Sequence, residues 1–163
     1  HRLVSGPRGY TFAMRAVIQR VSEASVTIDA DVVGRIQTGL LVLVGVEAGD
    51  TPADADWLAG KVAQMRIFPD DAGKMNRSVT EAAGGLLVIS QFTLIASTAK
   101  GNRPSFIAAA RPEEAVPLYE RFLAAVESLV GCRPERGVFA ADMKVALVND
   151  GPVTIVIDSR RRE

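Results

Sequence analysis

The sequence predicts a single α+β (α/β layered) domain, mostly antiparallel sheet with two main helices, and three observations carry that expectation. Runs rich in Val, Ile and Leu dominate the first third and recur near the end, separated by breaks of turn length. Two longer segments instead space their apolar residues for a helix. Neither an internal repeat nor a linker divides the 163 residues, a length that suits one hydrophobic core.

The first elements are strands. Residues 15–21, 24–28, 32–37 and 40–46 alternate or run on in β-branched side chains. Asp29-Ala30-Asp31 and Thr38-Gly39 are short enough for hairpin turns, so the four runs read as an antiparallel meander. Thr51 then offers an N-cap, Pro52 the first helical position, and Asp54 a negative charge for the positive end of the helix dipole. Leu58, Val62 and Met65 follow at helical spacing beside Trp57, and Phe68-Pro69 ends the helix. A polar loop over residues 70–85 leads into a strand over 86–94, followed by the basic loop Lys100-Gly101-Asn102-Arg103-Pro104-Ser105-Phe106. A second helix spans Pro112–Val130, burying Leu118, Phe122, Val126 and Leu129, with Gly131 as its stop. Pro117 either marks its true start or distorts its first turn. Strands over 142–148 and 153–158 close the chain around Asn149-Asp150-Gly151-Pro152.

Composition sets further bounds. The chain is 48% hydrophobic and 23% charged, ordinary for a soluble globular protein, and no apolar run approaches the roughly 20 residues of a membrane span. The single cysteine, Cys132, cannot close an internal disulfide, so a reducing cytoplasm is the expected compartment. The first 13 residues show no periodic apolar face and read as an expression remnant or a disordered arm ahead of a domain over 14–163. Setting them aside removes Arg2 and Arg8, leaving 17 basic against 19 acidic residues and a net charge of −2. That balance neither supports nor excludes nucleic acid, but it allows only a short contact through a local basic patch.

His1, the only histidine, falls in that same segment. Without it, nucleophile–histidine catalysis has no base. No His, Cys and carboxylate spacing suits zinc, and neither a Walker lysine loop nor a dinucleotide fingerprint occurs, so no metal and no cofactor is expected. Any catalysis must draw on backbone donors, hydroxyls, carboxylates or the substrate itself.

Four motifs are candidates for that work. In Ser90-Gln91-Phe92-Thr93-Leu94, strand alternation would point Gln91 and Thr93 to one side and Ser90 and Phe92 to the other. The plain alternative is a common β-former at a strand edge. Asn149-Asp150-Gly151-Pro152-Val153-Thr154 has the composition of an ordinary hairpin turn. Yet the Gly151–Pro152 bond is one of the few that adopts cis at modest cost, and glycine leaves its backbone uncovered. Lys100 and Arg103, with Lys74 and Arg77 upstream, are either solvated surface or a phosphate contact. In Phe139-Ala140-Ala141-Asp142-Met143, Phe139 and Met143 are core residues or flank a planar base.

Together with Gly73-Lys74-Met75-Asn76, these segments resemble the D-aminoacyl-tRNA deacylase family in order and spacing. The likeness runs from about Met14 to Ile157, and the SQFTL and NDGPVT pair is highly specific. It implies a barrel-like sandwich, hydrolysis of the ester of D-aminoacyl-tRNA and of glycine mischarged on tRNA-Ala, and a homodimer with its active site at the interface. Ser90, Gln91, Phe92 and Thr93 would form the catalytic floor, with Thr93 either a nucleophile or, as preferred here, a positioning hydrogen-bonder beside the tRNA 2′-hydroxyl. Gly151 and Pro152, in cis, would enter from the partner and reject L-amino acids. Phe139, Ala141 and Met143 would hold the terminal adenosine, and Lys100 and Arg103 the tRNA end. Ala140 departs from the pattern, where glycine is frequent, as does Ile95-Ala96-Ser97. A non-catalytic tRNA-end binder and an editing domain for L-amino acids are the rival readings.

Overall fold

The computed structural model describes residues 13–162. The extension expected over residues 1–13 therefore lies outside it except for Ala13, which is buried and donates its N–H to Glu47 Oε2 at 3.0 Å.

The expected run of separate early strands is one long hairpin. Strand β1 (Arg15–Ile28) is continuous, and β2 (Asp31–Ile36) and β3 (Gly39–Gly45) lie end to end against it, β2 on its second half and β3 on its first. The turn residues Asp29 and Ala30 both have positive φ, the backbone twist that two-residue hairpins require. Because β2 and β3 each pair with β1 and not with one another, the arrangement is not the expected meander.

Helix α1 (Pro52–Gln64) starts as predicted: Thr51 donates both its N–H and its hydroxyl to the Asp54 carboxylate, at 2.8 and 3.0 Å. The helix stops at Gln64, short of the expected Phe68-Pro69, which instead forms β4 (Phe68–Pro69) and pairs with β5 (Met75–Arg77) of the polar loop in a small hairpin. The chain then crosses over into β6 (Gly85–Ser90), which pairs in parallel with β3. Both strands are apolar almost throughout because both faces are covered, and continuous apolar runs are the mark of such strands. At their start a Cβ on Gly39 would stand 2.0 Å from the Gly85 carbonyl oxygen, so the close approach requires glycine.

Helix α2 (Pro112–Val130) begins at Pro112 and passes through Pro117, which faces solvent. Leu118, Phe122 and Val126 are buried as expected, but Leu129 is 50% exposed. Its last turn overhangs the core and Val130 takes the inward position instead. A short strand β7 (Glu135–Arg136) pairs in parallel with β6. The final two predicted strands are one: β8 (Lys144–Asp158) runs antiparallel along β1 through the Asn149–Thr154 motif without turning back. Glycine and proline suggested a hairpin there, but the residues on both sides keep pairing with the same neighbour.

The sheet order is β2-β1-β3-β6-β7, with β8 on the other side of β1. Helices cover one face, where Ile18, Val42, Val88, Leu58 and Phe122 form the main core. On the opposite face the curled sheet closes over Val21, Val26, Leu41 and Leu87. No helix among the described residues is long and apolar enough to cross a membrane.

Candidate active site

Strand β6 ends at Ser90, not at residue 94, and residues Phe92–Leu94 form a 3₁₀ turn. The alternation expected along residues 86–94 therefore stops before it reaches Thr93. Gln91 and Thr93 still meet, because the turn brings the Gln91 amide nitrogen to the Thr93 hydroxyl oxygen at 2.6 Å. Thr93 is thereby an acceptor, and its own proton is left to point elsewhere. The N–H groups of Phe92 and Thr93 lead the turn, a position with no acceptor inside it, and none is found for them among the described residues.

Three contacts fix this turn to the sheet. Gln91 donates its N–H to Val44 O at 2.8 Å. Arg15 Nη1 donates to Leu94 O at 2.7 Å. A Cβ on Gly45 would come within 3.0 Å of both Gln91 O and the Leu94 side chain, so glycine lets the turn lie against β3. Arg15 is itself held by Asp158, at 3.3 Å, and by Glu47, at 3.6 Å. Burial pushes the Glu47 carboxyl up, against the Ala13 N–H and Arg15.

Phe92 is 57% exposed, and the ring of Phe106 meets it edge-on at 5.2 Å. That contact ties the basic loop to the turn, while Lys100 and Arg103 on the same loop are exposed. After β7 the chain is fastened by Gly137 N–H to Val88 O at 3.2 Å, which brings residues 138–143 to the same end of β6. Phe139 packs on the helix-side core near Tyr119, whereas Met143 packs on the opposite cluster. Ala141, partly buried, lies between them in the chain. Ala140 has φ of 64°, a left-handed conformation that glycine adopts more readily than alanine.

The second motif interrupts β8. Gln19 pairs with Thr154 and Val21 with Asn149, so Arg20 alone stands against residues 150–153, which bulge outward. The Gly151–Pro152 peptide is cis, and both residues are exposed. Arg20 holds the bulge: Nε donates to Asp150 O at 3.0 Å and Nη1 to Ile67 O at 2.6 Å. Asn149 braces it from below, accepting the Val153 N–H at 3.0 Å and donating to Thr154 Oγ1 at 3.0 Å.

Within one chain the two motifs do not meet. They are separated by the steps β6-β3-β1-β8 and by the offset from Ala16 to Arg20 along β1. At about 4.8 Å per strand and about 3.3 Å per residue, that is on the order of 20 Å along the sheet. Between them lies an open stretch of sheet face. Its central row is Leu43, Val17 and Val156, paired side by side, with Val156 63% exposed.

Arg15, Arg20, Gly45 and Phe106 were not singled out from the sequence. Arg20 carried a signal: it has the inward parity of Ala16 and Ile18, where a charge is out of place unless it is paired. Gly45 and Arg15 act through contacts remote in sequence, which no local pattern reveals.

A family model described as D-Tyr-tRNA(Tyr) deacylase matches residues 17–158. A curated D-aminoacyl-tRNA deacylase of Opitutus terrae is 64% identical over 150 residues, covering 92% of this chain and 100% of that protein. One of Akkermansia muciniphila is 61% identical over the same shares of both chains. Among solved structures, one described as c-Myc DNA Unwinding Element Binding Protein matches with a TM-score of 0.81 at 37% identity, covering 88% of this chain and 97% of the other. Another, described as a probable eukaryotic D-amino acid tRNA deacylase, has a TM-score of 0.77 at 18% identity over 90% and 99% of the two chains, a likeness of fold.

Proposed function

The chain belongs to the D-aminoacyl-tRNA deacylase family, and from that premise we propose how its residues hydrolyse the ester of D-aminoacyl-tRNA and spare the L form. The observation that carries the reading is the 3₁₀ turn at the end of β6, which presents the N–H groups of Phe92 and Thr93 in an anchored frame.

The substrate is an ester already activated by its neighbouring ammonium, so it needs little more than orientation and charge stabilisation. As water attacks the carbonyl carbon, negative charge moves to the carbonyl oxygen; collapse of the adduct breaks the ester C–O bond, and the ribose 3′-oxygen leaves with the proton that the water gives up. The Phe92 and Thr93 N–H groups receive it, and one such donor is typically worth about 10²–10³ in rate. Among the described residues no carboxylate hydrogen-bonds to Thr93, whose hydroxyl oxygen already accepts from Gln91, so its role is to position the substrate. The 2′-hydroxyl of the terminal ribose orients the water. Ser90 and Gln91 complete the floor, and Phe92, Phe139, Ala141 and Met143 bound the adenosine, with Lys100 and Arg103 toward the phosphates.

Selectivity is exclusion. The exposed backbone of Gly151 and Pro152 enters the site of a second copy and occupies the space an L side chain needs, while hydrogen fits on that side. Glycine, lacking the group that is rejected, is hydrolysed as well. Three features support a homodimer that works this way: the separation of the motifs within one chain, the apolar row of Leu43, Val17 and Val156 between them, and an edge strand of 15 residues in β8.

Deacylation of matched D-Tyr-tRNA and L-Tyr-tRNA is the test. Loss of the D ester with the L ester intact is expected. Tight tRNA binding with both esters stable would reduce the protein to a binder.

A further inference from the structure

A groove of about 710 Å³ runs between α1 and the last residues of β8, apart from the Gly-Pro bulge, and of its lining only Arg15 touches the turn described above. Arg15, Lys61, Arg161 and Arg162 line it together with Trp57, and Asp158 is its one acidic residue. The Asp158 carboxylate is already engaged, by Arg15 at 3.3 Å and by the N–H groups of Arg160 and Arg161 at 2.9 and 3.2 Å. Lys61, Arg161 and Arg162 have no carboxylate within ion-pairing distance among the described residues. Three uncompensated cations around one concavity make a local positive field on a chain whose formal net charge is zero.

We infer that this groove docks the sugar-phosphate backbone of the substrate tRNA; the inference rests on the reading of charged tRNA as substrate. Trp57 is the organiser. The Arg162 guanidinium lies 4.5 Å from its ring and the Lys61 ammonium 5.7 Å. Arg162 Nε also donates to Ser159 O at 2.9 Å, so the guanidinium is held before any ligand arrives. The two cations gathered at Trp57 give the groove charge to offer a backbone. The groove therefore reads phosphates and not sequence, which suits an enzyme acting on many tRNAs. Finally, the groove adjoins the catalytic turn: Arg15 forms part of its wall and donates to Leu94 O at 2.7 Å. A nucleic-acid end placed on the turn has its backbone led off along the cations.

The test uses the full chain with uncharged tRNA, D-Tyr-tRNA, and the D-tyrosyl ester of adenosine as a substrate too short to reach the groove. In Lys61→Gln/Arg161→Gln, both affinity for uncharged tRNA and KM for D-Tyr-tRNA worsen about tenfold, while kcat and hydrolysis of the short ester hold within twofold. The slope of log affinity against log salt becomes shallower by about 1–2, the loss of two phosphate contacts. The charge-conserving Lys61→Arg/Arg161→Lys restores wild-type affinity and slope. An unchanged tRNA affinity and slope in the neutralised variant overturns the inference and leaves the groove to a second copy or an acidic protein. Equal losses on tRNA and on the short ester overturn it too, since they mark a structural effect. A wild-type protein that binds tRNA with the expected groove dependence but cleaves neither ester would sink the proposed reaction and leave the docking surface standing.

Discussion

The two motifs differ in how the fold holds them, although one strand braces both. The SQFTL turn grows out of β6, a strand covered on both faces at the centre of the sheet. The Gly-Pro bulge interrupts β8, an edge strand with solvent on its outer side. Strand β1 sends Arg15 to the first, at Leu94 O, and Arg20 to the second, at Asp150 O. Arg15 is itself locked by two largely buried carboxylates, whereas the Arg20 guanidinium spans two backbone carbonyls, Ile67 O and Asp150 O, and its one carboxylate partner, Asp150 at 3.8 Å, is exposed. In the proposed mechanism the groups that stabilise the transition state must not move, and it places them on the most constrained part of the molecule. A gate needs shape more than charge, and an exposed edge can supply it to a neighbour.

If that contrast is right, crowding the first region costs rate and crowding the second costs discrimination. The largest effect should come from Gly45→Val. Even a Cβ there stands 3.0 Å from Gln91 O and Leu94 Cβ, and the further methyl groups push the turn off β3. Displacements of order 1 Å cost about 10² in rate, so kcat/KM for D-Tyr-tRNA should drop about a hundredfold, with circular dichroism reporting an intact fold. A folded variant with wild-type turnover would remove the turn from the chemistry.

Gly151→Ala probes the other region. Its φ of 137° disfavours any side chain, and the new Cβ meets Val153 Cγ2 at 2.7 Å and Arg20 Nη2 at 3.2 Å. The bulge must shift, so hydrolysis of L-Tyr-tRNA should rise about tenfold relative to the D substrate, and the melting temperature should fall less than in Gly45→Val. Discrimination that survives this substitution unchanged breaks the comparison at its second half.

A smaller effect separates the two roles open to Thr93. With its oxygen accepting from Gln91 at 2.6 Å and no carboxylate hydrogen-bonded to it among the described residues, Thr93→Ala should slow turnover only about fivefold. Abolished turnover with intact tRNA binding would make Thr93 the nucleophile.

The same contrast explains what could be read in advance. Both helices, their caps and the buried strands were legible, because periodicity, Thr51-Pro52 and Gly131 are local signals. The continuity of β8 was not, since Asn, Asp, Gly and Pro also compose a hairpin turn, and only pairing with β1 on both sides shows that the chain runs on. The end of β6 at Ser90 was hidden for a related reason: Gln91 to Leu94 have no breaker residue, and the turn is imposed by Val44, Gly45 and Arg15. Sequence patterns located both motifs, but what fixes each of them comes from β1 and β3, far away in the chain.

The smallest expected effect concerns how the braces respond to pH. Arg20 holds two backbone carbonyl oxygens and meets one carboxylate, the exposed Asp150, at 3.8 Å, whereas Arg15 belongs to a buried carboxylate cluster that includes Glu47, whose N–H is accepted by Asp50 at 2.7 Å. Burial pushes Asp50 up to about 7, with the Glu47 N–H and Arg160 opposing and Asp54 and Glu47 adding to the rise, and its Oδ1 has no hydrogen-bond partner. Burial would raise Asp54 as well, but Arg160 and Thr51 hold it below its usual range. A raised carboxyl binds its proton more tightly in the folded state, so Asp50 costs nothing below about pH 4, and its penalty grows up to about pH 7 and is constant above. Asp50→Asn removes that charge while keeping an oxygen for the Glu47 N–H. Its amide nitrogen takes the place where Oδ1 found no partner, which cancels part of the gain. The variant should therefore be more stable than wild type by about 0.5–1 kcal/mol at pH 8 and no more stable at pH 4, read from denaturant midpoints at equal m-values. A wild-type stability that does not decline between pH 4 and 8 any faster than the variant's would show that the catalytic turn is braced as insensitively to pH as the gate.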